Sequence, residues 1–398
     1  MGPSYRVIGL LVVVFAILYQ VNLRELLFAT VGLGRTIQPI DDFPFTCRRL
    51  RHERLEACED MWLDDDARVL YAACAGSLSR SNLLQSVDRL NVSGRRSTGS
   101  ELIALHIDSP GPDSFFGMHN ITPVGYDGAT GDGTLDLLGF DAEVVDASTL
   151  RFWLINQRPP VDAKRRTVDA TKTGVNSTIE LFELKRSASE MIHIKTVFDP
   201  EIYSPNGITA LGGGSFVVSN DHSVKVGIRK KLDLFLGGGN VVYCPSSGSC
   251  LPATPKNLIY PNGLERGLDG LVYIPSAASD AIRVMEPQVG GALRQLEVIK
   301  LGMPVDNLAV DAKGDIYAAG LPKVRGIVAS VADPFNRQSP STVWRISRTA
   351  EGYRTEKIIE DRDKRVLSGV SVARHDVKTG RLFMGGPVTP YLMVCDPK

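Results

Sequence analysis

The chain has no excess of either charge: 45 Lys and Arg balance 45 Asp and Glu among its 398 residues. That balance removes the concentrated basic surface on which a nucleic-acid partner depends. Long helical periodicities are scarce and Gly is abundant, at 38 residues, a combination that favours short strands joined by turns. No G-x-S-x-G elbow occurs, which argues against the serine nucleophile of an α/β-hydrolase. The runs Gly212–Gly214 and Gly237–Gly239 lack the G-x-G-x-x-G spacing of a dinucleotide site and read as hairpin turns. None of the six cysteines shows the paired spacing of a zinc site. What is present is a globular composition, 43% apolar and 23% charged, which excludes bulk disorder.

One hydrophobic run stands out. Val7–Tyr19 carries no charge and follows Arg6, the charged and apolar regions of a secretory signal. No small-residue cleavage site follows cleanly, so the run reads as a retained signal anchor, although it is shorter than the roughly 20 residues of a comfortable span. Leu23–Leu33 is apolar apart from Arg24 and Glu25 and suits a membrane or lipoprotein surface. The expected organisation is a signal-anchor and amphipathic helical segment over 1–35 and a folded body over 36–398. The body is expected in the secretory pathway, secreted or anchored on the lumenal or extracellular side.

An even count of cysteines in that compartment points to disulfides. Cys244 and Cys250 flank a short turn, Cys47 and Cys395 lie near the two ends of the body, and the pairing of Cys58 and Cys74 stays open. Glycosylation sequons occur at Asn91, Asn120 and Asn176. Glycans are expected at Asn91 and Asn176; Asn120 reads as a chance match within a strand. The basic run Lys164–Arg166 reads as a solvated loop.

A repeat changes the meaning of the length, which alone would suggest two or three domains. Several segments share one form: a polar residue, a short apolar strand, a turn, then a second apolar strand. They begin at Glu59, Asn206, Asn262, Asp306-Asn307 and Ser368, and His119–Val124 fits the first half of the form. Their spacing matches propeller blades of roughly 40–50 residues plus insertions. The gap between His119 and Asn206 is the widest, and it reads as surface insertions rather than a further blade. The expected fold is all-β, a six-bladed β-propeller preceded by the N-terminal hydrophobic and amphipathic helical segment.

In a propeller the first strand of each blade starts beside the central channel, so the polar anchors converge there. Glu, Asn and Asp supply only oxygen donors, and oxygen-only ligation suits Ca²⁺. Any one Asn-Gly or Asp-Asn pair alone is ordinarily a turn; in register across hairpins they point to a metal.

Taken in order, Cys58–Asp60, Met118–Ile121, Asn176–Leu184, Pro205–Ile208, Ser219–His222, Pro261–Gly263, Val305–Asp311 and Val394-Cys395 resemble the serum paraoxonase/arylesterase family. Its members are six-bladed propellers that hydrolyse lactones and aryl esters with calcium. The resemblance runs from about Cys47 to Cys395. It implies that Glu59, Asn206, Asn262, Asp306 and Asn307 hold a catalytic calcium and that Asp60 belongs to a second, structural calcium. It further implies that His119 is the first histidine of a water-activating pair and that a Cys47–Cys395 disulfide closes the ring.

The sequence departs from that pattern at three places. Gln157 stands near the position of the partner histidine, and an amide does not relay a proton as imidazole does. Gly207 stands where an Asp is expected, which removes a carboxylate from the second calcium. Asn120 completes a sequon beside the expected site.

The function implied is calcium-dependent hydrolysis of carboxylic esters or lactones, with His119 as base and a small-molecule ester or lactone as substrate. The N-terminus would meet a membrane or lipid surface, and no nucleic acid is involved. His222 is either a group behind the metal ligands or a solvated turn residue. The alternatives are an impaired, calcium-stabilised propeller acting as a binding protein, and a gluconolactonase-like enzyme with a Glu/Asn/Asn/Asp metal set.

Overall fold

The computed structural model describes Gly9 and residues 24–398; apart from Gly9, the signal-anchor run Val7–Tyr19 lies outside the described residues. From Phe45 onward the chain forms six blades, each an antiparallel meander of four strands. The innermost strands are Cys58–Asp64, Leu137–Asp146, Pro205–Gly212, Glu265–Arg266, Val305–Val310 and Val372–His375. Each packs against the next, and Val372–His375 packs against Cys58–Asp64, so the ring is closed. Blades 1 and 2 are also linked at their rims, where Glu190–Ile192 runs parallel to Thr122–Val124.

The strand sequences follow from this wedge arrangement. A strand inside a blade is covered on both faces by neighbouring blades, and Val69–Cys74 and Ile316–Gly320 are accordingly buried throughout. Rim strands such as Glu190–Val197 alternate between buried and exposed side chains. The apolar core is therefore six radial clusters between adjacent blades. Tyr71 and Phe152 meet between blades 1 and 2, and Ile282 and Leu308 between blades 4 and 5.

The last blade takes strands from both chain ends. Phe45–Leu50 pairs with Leu392–Pro397, placing Cys47 opposite Cys395, and the two form a disulfide. Cys58–Cys74 bridges the first two strands of blade 1 and Cys244–Cys250 closes its turn.

One repeat assignment is corrected. His119 does not open a blade: His119–Val124 is the outermost strand of blade 1. The wide gap after it holds the whole of blade 2, from Leu137 to Val197. Its inner strand opens with Leu137-Leu138-Gly139, without the polar anchor that marks most of the others.

The connections between second and third strands emerge at the end of the channel where inner strands begin. In blades 1, 3 and 5 they carry the helices Ser77–Asn82, Ile228–Leu236 and Val324–Ala332. The N-terminal helical turn Leu26–Thr30 is tied to loops at the same end. Thr30 Oγ1 donates to the Ala278 carbonyl at 2.6 Å, and the Arg35 guanidinium to the carbonyls of Ala29 at 2.6 Å, Gly302 at 2.7 Å and Pro322 at 2.6 Å. Among the described residues no helix is long and apolar enough to cross a membrane.

Candidate metal centre

Because the inner strands all start at one end of the channel, their first polar residues meet there. Glu59, Asn206, Asn262 and Asp306 line one cavity of about 90 Å³, whose other walls include Leu84, Val87, Leu138 and the helix residues Val324, Ile327 and Val331. A polar floor thus faces an apolar roof. Among the described residues no three His, Cys, Asp or Glu side chains gather closely enough to hold a metal by themselves; this set mixes carboxylates with amides.

The electrostatics of the floor are unbalanced. Glu59 Oε1 accepts from Asn307 Nδ2 at 3.1 Å, but Glu59 Oε2 is buried with no hydrogen-bond partner, and so is Asn206 Oδ1. Burial raises the Glu59 carboxyl, opposed by the nearby Arg80 charge and the Asn307 hydrogen bond. Burial, with the like charges of Glu59 and Asp60, pushes the Asp306 carboxyl well above the usual range. Of the buried Arg80 guanidinium, Nη2 donates to the Leu137 carbonyl, and Nε is buried with no hydrogen-bond partner. Buried carboxylates with unpartnered acceptors are costly unless a cation joins them. The donor set, all oxygen and of mixed charge, fits Ca²⁺.

The remaining expected residues are placed as follows. Asn307 sits behind the floor, its amide donating to the backbone and side chain of Glu59. Asp60 points along the channel, where Oδ1 accepts from Met61 N at 2.8 Å and Oδ2 from Phe140 N at 2.9 Å. His119 lies away from this group on the blade 1 rim, stacked on His106 with ring centroids 5.3 Å apart. Its role as base is therefore withdrawn: an outermost strand cannot reach the channel. Gln157 is buried at the end of a blade 2 strand, with Oε1 facing Gln85 N at 3.4 Å. Asn91 is exposed and Asn176 half-buried at the start of a strand.

An acid–base pair beside the cavity was left undecided by the sequence. The second strand of blade 3, Ser215–Asn220, ends at the same mouth, and Asp221-His222 follow it directly. His222 Nδ1 lies 2.7 Å from Asp221 Oδ1, and Asp221 Oδ2 lies 3.4 Å from Asn206 Nδ2. Burial alone would raise the Asp221 carboxyl. The His222 charge and hydrogen bond, with the Ser204 and Ser86 hydroxyls, hold it down at about 2. His222 lines a second cavity of about 240 Å³ that shares Ser86, Val87, Tyr260, Ala277 and Val324 with the first. The signal in the sequence was Asn220-Asp221-His222, a carboxylate and an imidazole at the end of a strand paired with an anchor strand.

A family model described as Arylesterase matches residues 168–396. Serum paraoxonase/arylesterase 2 of Homo sapiens is 32% identical over 213 residues, which is 52% of this chain and 58% of that protein. Serum paraoxonase/lactonase 3 of Oryctolagus cuniculus is 29% identical over 218 residues, 53% of this chain and 59% of that protein. The chain thus spans somewhat over half the length of the curated relatives it matches. Among solved structures, a gluconolactonase from Xanthomonas campestris aligns with a TM-score of 0.46 at 12% identity, covering 92% of this chain and 99% of that one. The calcium-binding protein regucalcin from Agrobacterium tumefaciens aligns with a TM-score of 0.45 at 12% identity, covering 88% and 94%.

Proposed function

The chain belongs to the arylesterase family, and from that premise we propose that it hydrolyses carboxylic esters or lactones with a calcium ion held by Glu59, Asn206, Asn262 and Asp306. The observation that carries this reading is the pair of buried acceptors without partners, Glu59 Oε2 and Asn206 Oδ1, in a cavity shared with Asp306. When bound, calcium supplies a Lewis acid that polarises the substrate carbonyl.

The chain's own residues do the rest. Asn307 fixes the Glu59 carboxylate by its amide. Asp221, as an acceptor-only carboxylate, obliges the neutral imidazole of His222 to present an Nδ1–H, which leaves the Nε2 lone pair to take the proton of the attacking water. Val324, Ile327, Val328 and Val331 receive the acyl or aryl part and exclude water from it.

The same end of the propeller is proposed to meet a lipid surface. Ile228, Phe235 and Leu236 of the helix Ile228–Leu236 are 75%, 53% and 65% exposed, close to the docked N-terminal turn. Three disulfides suit passage through the secretory pathway.

A second reading, a calcium-stabilised binding protein, is favoured by Leu138, which brings an apolar side chain to the cavity where blade 2 would otherwise offer a polar one. Assays on aliphatic lactones and phenyl acetate separate the two. Hydrolysis is expected, with His222→Gln lowering kcat by about 10²-fold or more while calcium affinity is unchanged. Complete inactivity of folded, calcium-loaded protein would establish the binding reading instead.

A further inference from the structure

Below the candidate metal centre the channel contains a charged side chain that the proposed hydrolysis does not use. Arg374 sits on the inner strand of blade 6, and its side chain is 7% exposed. Its Nε donates to the Met61 carbonyl of blade 1 at 2.5 Å, and Nη2 donates to Glu265 Oε2 of blade 4 at 3.1 Å. One guanidinium therefore ties three blades across the channel. Its charge also acts on Asp60 of blade 1 and Asp141 of blade 2.

The carboxylates around it are already engaged by protein donors. Both Asp60 oxygens accept backbone N–H groups, from Met61 and Phe140. Asp141 accepts from Ala142 N at 2.7 Å, Ala210 N at 2.8 Å and Thr209 Oγ1 at 2.9 Å. Blade 3 offers nothing further, because Gly207 has no side chain and a Cβ there would lie 2.5 Å from Gly263 Cα and 2.8 Å from the Asn262 carbonyl oxygen. These residues do not fit a second divalent ion of the kind the family resemblance implies for Asp60.

We propose that the Arg374 guanidinium is the fixed cation of the lower channel, standing in place of a second metal, so that the protein binds one calcium per chain. The ring then keeps its central countercharge when calcium leaves the upper site. The upper calcium rests on the functional reading above; the role of Arg374 does not.

Metal content after equilibrium dialysis against Ca²⁺, with the full chain and three proteins, tests this. The wild type is expected to hold one calcium per chain and to stay folded in EGTA. In EGTA, Arg374→Met, which keeps bulk and removes charge, is expected to melt about 4–6 °C lower, as for an ion pair broken on one side. Arg374→Lys is expected to recover most of that loss. Two calcium ions per wild-type chain, or an Arg374→Met protein as stable as wild type in EGTA, would overturn the proposal. No bound calcium would overturn the functional reading, and the two variants would still decide the role of Arg374.

Discussion

At the scale of single residues, the floor of the candidate metal centre was legible because each of its members is a polar residue at, or within a few residues of, the start of an inner strand. Glu59, Asn206, Asn262 and Asp306 share that local signature, and ring closure converts it into proximity. His119 carries the same signature but belongs to a rim strand, and no local property of His119-Asn120-Ile121 distinguishes the two cases. His222 was visible without a role, since its partner Asp221 and the Asn206 contact appear only after blade 3 folds. Glu265 was not singled out at all. Burial pushes its carboxyl up from an ordinary 4.5 to about 7, opposed by Arg374 and reinforced by Asp141. A carboxyl raised in this way favours the fold while protonated, below its unfolded value, and that contribution is lost as pH rises through about 7. The loss is about 3 kcal/mol for a shift of this size. Thermal melts of wild type and Glu265→Gln at pH 5 and pH 8 are expected to show a larger decline in the wild type than in the variant, which keeps the other raised carboxyls of the channel. Parallel declines would contradict it.

At the scale of elements, five of the six blades announced themselves by a polar start, two strands and a turn. Blade 2 did not. Its inner strand begins Leu137-Leu138-Gly139, and Gly139 is there because a Cβ would lie 2.4 Å from the Asn206 carbonyl oxygen. A close approach between neighbouring blades thus replaced the anchor on which the sequence reading depended. The helices Ile228–Leu236 and Val324–Ala332 were equally unreadable, each being nine residues inserted in a loop and too short to stand out by periodicity. The first carries the proposed lipid contact. Replacing Ile228, Phe235 and Leu236 by Ser is expected to reduce co-flotation with phosphatidylcholine vesicles while leaving hydrolysis of a soluble lactone unchanged. Equal flotation of the two proteins would remove the helix from that role.

At the scale of the whole molecule, the zero net charge says nothing of how charge is arranged. The balanced total conceals a channel that gathers acids from several blades, sets two buried guanidiniums against them, Arg80 near the upper group and Arg374 below, and leaves space for a cation above. The ring itself depends on a single seam, the pairing of Phe45–Leu50 with Leu392–Pro397. The seam disulfide spans 348 residues of sequence, and long loops are where chain-entropy models place the largest effect. Cys395→Ser is expected to lower stability by about 3–5 kcal/mol. Hydrogen exchange should rise first in the two seam strands. Uniform exchange across all blades would mean that the seam is not the weakest join.

The central claim is that the oxygen cluster at the channel mouth works as a calcium-dependent hydrolytic centre. The most direct measurement follows lactone hydrolysis and bound calcium together while Ca²⁺ is returned to EGTA-treated protein, for wild type and Glu59→Gln. The expected result is no hydrolysis in EGTA, recovery in proportion to occupancy of one calcium per chain, and a Glu59→Gln curve displaced to much higher calcium. Hydrolysis at an undiminished rate in EGTA, or in Glu59→Gln without bound calcium, would contradict the account.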